Sequence, residues 1–148
     1  MPVTVNVGEI LDCDQNDEIR TRGCDPCVGL IVIYVNAGNT TKRCAHFSVN
    51  IAGVLTQDRI NAALNPILDG HFPLANIQAV GFTWGGGGVG MGSAFICVRL
   101  QVYFVGQPIN WSAQNDSLTT NGGGIELSNG RTWAWTNDPP LNGYAELS

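Results

Sequence analysis

The sequence predicts an α+β fold in which a β-sandwich-like core is flanked by helices, and three observations carry that prediction. Glycine, the β-branched residues and tryptophan are prominent, while helix formers such as Lys and Glu are sparse. Short alternating or continuously β-branched stretches recur between turns rich in Gly, Asn and Pro. One segment alone, after Thr56, opens with a full set of helix-start signals. At 148 residues the chain reads as one domain over residues 1–148. That length can bury roughly two-thirds of the surface of the unfolded chain.

Taken in order, Val3-Thr-Val-Asn-Val7 alternates and reads as a short strand with one buried face. Residues 12–17 are acidic and turn-forming, so an exposed loop is expected there. Residues 18–21 form a second short strand entering a turn over residues 23–26. Residues 28–35 are almost continuously β-branched, the pattern of a central strand buried on both faces. A polar turn over residues 36–42 returns the chain into a hairpin partner over residues 42–50. Thr56 is the expected N-cap of a helix whose Ile60, Leu64, Ile67 and Leu68 share a face. Pro66 is expected to kink or end it, and Gly70 to close it.

Residues 77–84 form a further strand that runs into a glycine-rich stretch over residues 85–92. Residues 94–105 stay open between two states. Val98, Leu100, Val102 and Phe104 alternate as in a strand, while Ser93 and Gly106 are placed to cap a helix. Residues 125–135 read as a hairpin about Asn129-Gly130. The tail over residues 136–148, with Pro139-Pro140, is expected to be peripheral.

Seven Lys and Arg stand scattered against twelve Asp and Glu, a formal net charge of −5. That balance argues against a nucleic-acid partner and against an anionic membrane surface. No apolar run approaches the ~20 residues of a membrane span. Met-Pro-Val-Thr-Val carries no basic region followed by an apolar core, so the expectation is a cytoplasmic protein or one exported by a signal-less route. Five cysteines is an odd number, and a chain of this size needs no staples, so the thiols are read as reduced.

One neighbourhood proposes a reaction. Thr21 stands six positions before Cys27, and His46 nineteen after it. The strand, turn and strand between Cys27 and His46 would bring the imidazole back to the end of the sheet where Cys27 starts. A thiol and an imidazole so paired are the minimal parts of a nucleophile and its base.

The segments Thr21-Arg-Gly-Cys-Asp-Pro-Cys-Val-Gly-Leu-Ile-Val and Cys44-Ala-His-Phe, followed by a helix and a strand ending in glycines, resemble the chemoreceptor glutamine deamidase family, CheD. That family is similar in fold and catalytic apparatus to the deamidase domain of cytotoxic necrotizing factors. The resemblance spans the domain in order, but only the Cys27 and His46 neighbourhoods are specific. It implies a layered α/β/β fold and a cysteine-dependent protein glutamine deamidase, without cofactor, acting on a protein substrate that bears the target glutamine. A bacterial effector or toxin fits as well as a housekeeping regulator. By the resemblance Cys27 is the nucleophile, His46 the base and Thr21 the residue that orients the imidazole. Asp25-Pro26 replaces the family's Gly-Ser pair, and the strongly apolar residues 95–104 replace a charged helix, so the branch would be divergent. The amides of residues 23–27, among them Gly23, Cys24 and Asp25, are the expected oxyanion donors. Gly85 and Gly86 could let a substrate backbone approach, although on the residues alone a mobile loop is the favoured reading of that stretch.

Rival readings use the same residues. Cys24, Cys27, Cys44 and His46 make a passable Cys₃His zinc set, with sixteen residues between the pairs. On the residues alone zinc and catalysis stand level, and the resemblance tips the balance to catalysis. Cys24-Asp-Pro-Cys27 also matches a redox dithiol, although a strand rather than a helix follows it. Cys13, Cys44 and Cys97 suit small core or strand positions. His71 reads as a surface residue, and Asp12, Asp14, Asp17 and Glu18 as a solvated loop without calcium-loop spacing. Trp84, Trp111, Trp133 and Trp135 could form a protein-binding surface, with core packing the default for Trp133 and Trp135.

Overall fold

The computed structural model describes residues 2–49, 55–85, 91–121, 124–127, 132–134 and 144–146. In chain order the elements are β1 (Val3–Val5), β2 (Ile10–Asp14), β3 (Ile19–Thr21), β4 (Val28–Asn36), β5 (Asn39–Phe47), α1 (Gln57–His71) and β6 (Ile77–Thr83). Then follow α2 (Met91–Tyr103), β7 (Ile109–Ser112), β8 (Leu118–Asn121), β9 (Gly124–Leu127), β10 (Thr132–Ala134) and β11 (Tyr144–Glu146). The strands form a five-stranded sheet, β1-β3-β8-β9-β10, and a six-stranded sheet, β11-β7-β6-β4-β5-β2.

The alternation of side chains along β4 and β5 sorts the core into two layers. Val28, Leu30 and Val32, with Ala45 and Phe47, face Ile60, Leu64 and Leu68 of α1 and Ile96 and Leu100 of α2. Ile31, Ile33 and Cys44 face the other way, onto Val5, Ile19, Leu118, Ile125 and Leu127 of the five-stranded sheet. The architecture is therefore helices on sheet on sheet, an α+β fold with a β-sandwich core. Central β4 is wholly buried from Val28 through Ile33, which explains its unbroken apolar run.

Asn36 pairs with Asn39, leaving Ala37 and Gly38 as a two-residue turn in which both have positive φ, 52° and 82°. This tight turn starts β5 at Asn39, earlier than expected, and fixes a register that sets Gly29 opposite His46.

The structure corrects three expectations. Of the expected acidic loop only residues 15–17 form a turn, and residues 12–14 belong to an edge strand, β2, paired antiparallel with β5. Its acidic side chains are tolerated because an edge offers them to solvent, and Asp12 is bonded to Arg43 at 2.8 Å. Pro66 does not end α1, which continues to His71. The ring sits on the exposed face, while Ile60, Leu64 and Leu68 anchor the buried one. Gly70 likewise lies inside the helix rather than after it. Of the tail, residues 144–146 form β11, which adds in parallel to β7 at the rim of the larger sheet, the peripheral position expected. Residues 136–143 and 147–148 lie outside the described residues.

Residues 94–105 resolve as helix through Tyr103. Leu100 and Phe104 are buried at a spacing of four, whereas Val98 and Val102 are 45% and 56% exposed, so the apparent alternation is split between two helix faces. Thr56 caps α1 as expected, its hydroxyl accepting from Arg59 N–H at 3.2 Å. The Tyr103 hydroxyl closes the other end of α1 against the carbonyls of Leu68 and Phe72, at 3.0 and 2.6 Å. β9 and β10 pair antiparallel as expected; their Asn129-Gly130 turn and Trp135 lie outside the described residues. Among the described residues no helix is long and apolar enough to cross a membrane.

Candidate active site

Three elements carry the predicted residues: β3 has Thr21, the loop before β4 has Cys24 and Cys27, and β5 has His46. Thr21 and His46 meet in a hydrogen bond, while none joins Cys27 to His46 Nε2 among the described residues. Gly29 and His46 are Cα partners across the β4–β5 ladder. The His46 N–H donates to Glu9 O at 3.3 Å, and its carbonyl accepts from Gly8 N–H at 2.9 Å. Both backbone groups thus face the β2 side, which makes Gly29–His46 a non-hydrogen-bonded pair, the kind whose side chains lie closest. Cys27, two residues before Gly29, falls by alternation on the same face and diagonal to His46. That face is the one turned to the five-stranded sheet, where Thr21 waits.

Thr21 and His46 are buried, at 0% and 2% exposure. Thr21 Oγ1 donates to the carbonyl of Val5 at 2.9 Å and lies 2.7 Å from His46 Nδ1. A hydroxyl has one proton. With that proton committed to Val5, the bond to the ring runs from Nδ1–H to Oγ1. In that arrangement Nε2 carries the lone pair. Among the described residues Nε2 is buried without a hydrogen-bond partner. Burial also holds the imidazole below the ordinary histidine range, which favours its neutral form. The Val5 carbonyl is a participant that sequence reasoning missed, because strand β1 carries no chemical signal.

All five cysteines are free thiols. Burial pushes Cys24 up to about 12, with the nearby Thr21 hydroxyl pulling the other way. Burial raises Cys44 well above the ordinary thiol range and Cys13 to about 11. Cys27 is half-buried, and by strand alternation it falls on the sheet face that His46 shares. Cys44 and Cys97 fill the two core layers, as small apolar residues do. No group of three or more His, Cys, Asp or Glu side chains is placed to hold a metal ion among the described residues. Cys24, Cys27, Cys44 and His46 are therefore not gathered as a zinc donor set, nor do the acidic residues 12–18 form a cation site.

The loop before Cys27 is braced on three sides. Cys24 N–H donates to Asp116 O at 2.8 Å, and Gly85 N–H donates to Cys24 O at 2.6 Å. The Ser93 hydroxyl donates to Pro26 O, holding the first turn of α2 against the peptide that precedes Cys27. Of the predicted oxyanion amides, Cys24 is spent on Asp116 and Asp25 on Gly23 O at 2.9 Å. Pro26 has no N–H. The amides of Gly23 and Cys27 remain uncommitted to backbone acceptors among the described residues. Gly85 does lie beside the loop, but its missing Cβ makes room for Asp25 and Asp116, whose Cβ atoms would come within 3.1 and 3.3 Å. Gly86 lies outside the described residues. Ser93 and Asp116 were not legible as site residues, because their contributions are a helix-to-loop brace and a backbone carbonyl.

A cavity of about 210 Å³ adjoins His46 and is lined by Ile10, Phe47 and Leu64. Phe47 and Leu64 belong to the helical face of the sheet, so this space is not the approach to Cys27. His71 ends α1 on the surface, its carbonyl accepting from Arg43. Trp111 stacks on Phe82 at 6.1 Å between ring centres, and Trp84 packs on the same core, so neither stands out as a free surface. Compared with known proteins, the chain matches no family model and no curated protein.

Proposed function

We propose that the protein is a cysteine-dependent glutamine deamidase acting on a protein side chain, with Cys27 as nucleophile, His46 as general base and acid, and Thr21 as the residue that fixes the ring. The observation that carries this reading is the Thr21–His46 pair with its open second nitrogen. Thr21 Oγ1 lies 2.7 Å from His46 Nδ1 and serves as acceptor for Nδ1–H. Nε2 has no partner among the described residues and lies on the sheet face that Cys27 shares by alternation. A structural histidine in a core is normally satisfied at both nitrogens. This one is satisfied at the nitrogen that orients it and open at the nitrogen that would work.

In the reaction Nε2 takes the thiol proton as sulfur attacks the carboxamide carbon, forming the S–C bond and an oxyanion. The amides of Gly23 and Cys27, which have no backbone acceptor among the described residues, are the candidate donors to it. Collapse breaks the C–N bond, and the imidazolium gives its proton to the departing ammonia. Water, deprotonated by Nε2, then attacks the thioester; the C–S bond breaks, and carboxylate and thiol are released. The first turn of α2, braced on Pro26, presents the helix end that favours negative charge. Thr21 adds no charge to the imidazolium, so His46 works as a weaker base than one backed by a carboxylate.

The test is ammonia release from casein and from a glutaminyl-glycine peptide, with mass spectrometry of the substrate for conversion of glutamine to glutamate. Activity lost in folded Cys27→Ser and His46→Asn variants is the expected result. Full activity in either variant overturns the reading.

A further inference from the structure

β4 is built of Val28, Leu30, Ile31, Val32 and Ile33, and one glycine interrupts it. Glycine in a strand interior costs roughly 0.5–1 kcal/mol and marks a place where something else comes close. At Gly29 the intruders are specific. A Cβ there would lie 2.8 Å from Thr21 Cγ2 and 2.8 Å from Cys24 Sγ, with Leu118 Cδ1 at 3.8 Å. The first two distances are closer than real Cβ contacts allow, and Gly29 faces His46 directly across the ladder.

We propose that Gly29 is a positioning residue: the space left by its missing Cβ lets Thr21 and Cys24 converge behind His46, and so sets the imidazole tautomer. Thr21 Cγ2 and Oγ1 hang on one Cβ, whose rotation is stiff. Displacing the methyl group therefore swings the hydroxyl away from Val5 O, from His46 Nδ1, or from both, bonds now at 2.9 and 2.7 Å. The second contact acts on the nucleophile's loop. Cys24 is fixed through its N–H to Asp116 and through its carbonyl to Gly85, so pushing its sulfur strains the segment that carries Cys27. Gly29 thus acts on both partners of the site without touching substrate. The inference rests on reading Thr21, Cys27 and His46 as a working site, but its geometry can be tested apart from the reaction.

The experiment compares Gly29→Ala with the combined variant Gly29→Ala/Thr21→Ser/Cys24→Ala and with its parent Thr21→Ser/Cys24→Ala. Thr21→Ser removes the clashing methyl and keeps the hydroxyl, while Cys24→Ala removes the clashing sulfur. The first readout is the ¹⁵N spectrum of His46, which reports which ring nitrogen carries the proton. The second is the rate of Cys27 alkylation by iodoacetamide. Gly29→Ala should lose the single Nδ1–H pattern and slow alkylation by about tenfold or more, the scale of an imidazole's contribution as base. The combined variant should regain the pattern of its parent. An unchanged pattern in Gly29→Ala, or no recovery in the combined variant, overturns the proposal. Where Gly29→Ala alone does not fold, the combined variant decides: the parent's tautomer upholds the proposal and a lost one refutes it. A tautomer that responds as stated, in a protein that releases no ammonia from glutamine, upholds the role of Gly29 and retires the deamidase reading instead.

Discussion

Replacing Thr21 by valine keeps the outline of the side chain and removes only its hydroxyl, which makes it the sharpest perturbation of the site. The residue is fully buried, and its Oγ1 makes bonds of 2.9 Å to Val5 O and 2.7 Å to His46 Nδ1. No cavity opens, so the cost is that of leaving a carbonyl and a ring N–H without partners. At about 1–3 kcal/mol for each of the two buried groups left unsatisfied, the loss is about 2–6 kcal/mol. For a chain of this length that corresponds to a fall in Tm on the order of 10 °C. The ring also loses what fixes its tautomer and orientation, so kcat for ammonia release should fall about tenfold to a hundredfold. Guanidinium unfolding and an ammonia assay read the two effects. Thr21→Ser keeps both bonds, loses one methyl group, and should fall less on both measures. A Thr21→Val protein as stable and as active as the parent would refute the argument, because the hydroxyl would then be neither structural nor orienting.

The remaining predictions concern titration, thiols and packing. Burial lowers His46 from the unperturbed 6.5. The unfolded chain therefore takes up this proton at a higher pH than the native one. The associated stability is full above about pH 6.5 and is lost as the pH falls from there through the native value; unfolding curves at successive pH values should show that slope, and His46→Asn should flatten it. Under native conditions iodoacetamide should modify Cys27 ahead of the buried Cys24, Cys44 and Cys97, which should react only on unfolding, as peptide mapping would read. Leu100→Ala should cost about 2–5 kcal/mol, whereas Val98→Ser on the exposed face of the same helix should stay within about 0.5 kcal/mol; equal costs would mean that the buried face is misassigned. Tyr103→Phe should cost about 1 kcal/mol by removing the hydroxyl's bond at the end of α1, where Leu68 O keeps its bond from Phe72 N–H, measured by the same unfolding.

What could be read from the sequence was what short-range pattern controls. The nearly continuous β-branched run of β4 and the polar turn after it announced the central hairpin, and with it the return of the chain from Cys27 to His46. Thr56 announced α1. The acidic residues of β2 pointed to loop, because turn propensity says nothing of a pairing partner that lies thirty residues on, at Arg43 and its neighbours. Residues 94–105 carry Val98, Leu100, Val102 and Phe104, whose spacing satisfies both periods, and contact with α1 and the sheet settles the segment as helix through Tyr103. β7 and β8 were not read at all; four-residue strands rich in Asn, Ser and Thr give little periodicity to find. At the site, the three side chains with chemistry were legible. The groups that aim them were not: the Val5 carbonyl, the Asp116 carbonyl and the absent Cβ of Gly29 leave no mark in residue type, because each works through backbone or through empty space.

The most direct test of the central claim is the rate at which iodoacetamide alkylates Cys27, followed by mass spectrometry in the parent protein and in His46→Asn. If His46 Nε2 serves as the base of this thiol, Cys27 reacts faster than a simple peptide thiol at neutral pH, and His46→Asn removes the advantage. A Cys27 that labels no faster than a free peptide thiol, and at the same rate in both proteins, would contradict the account.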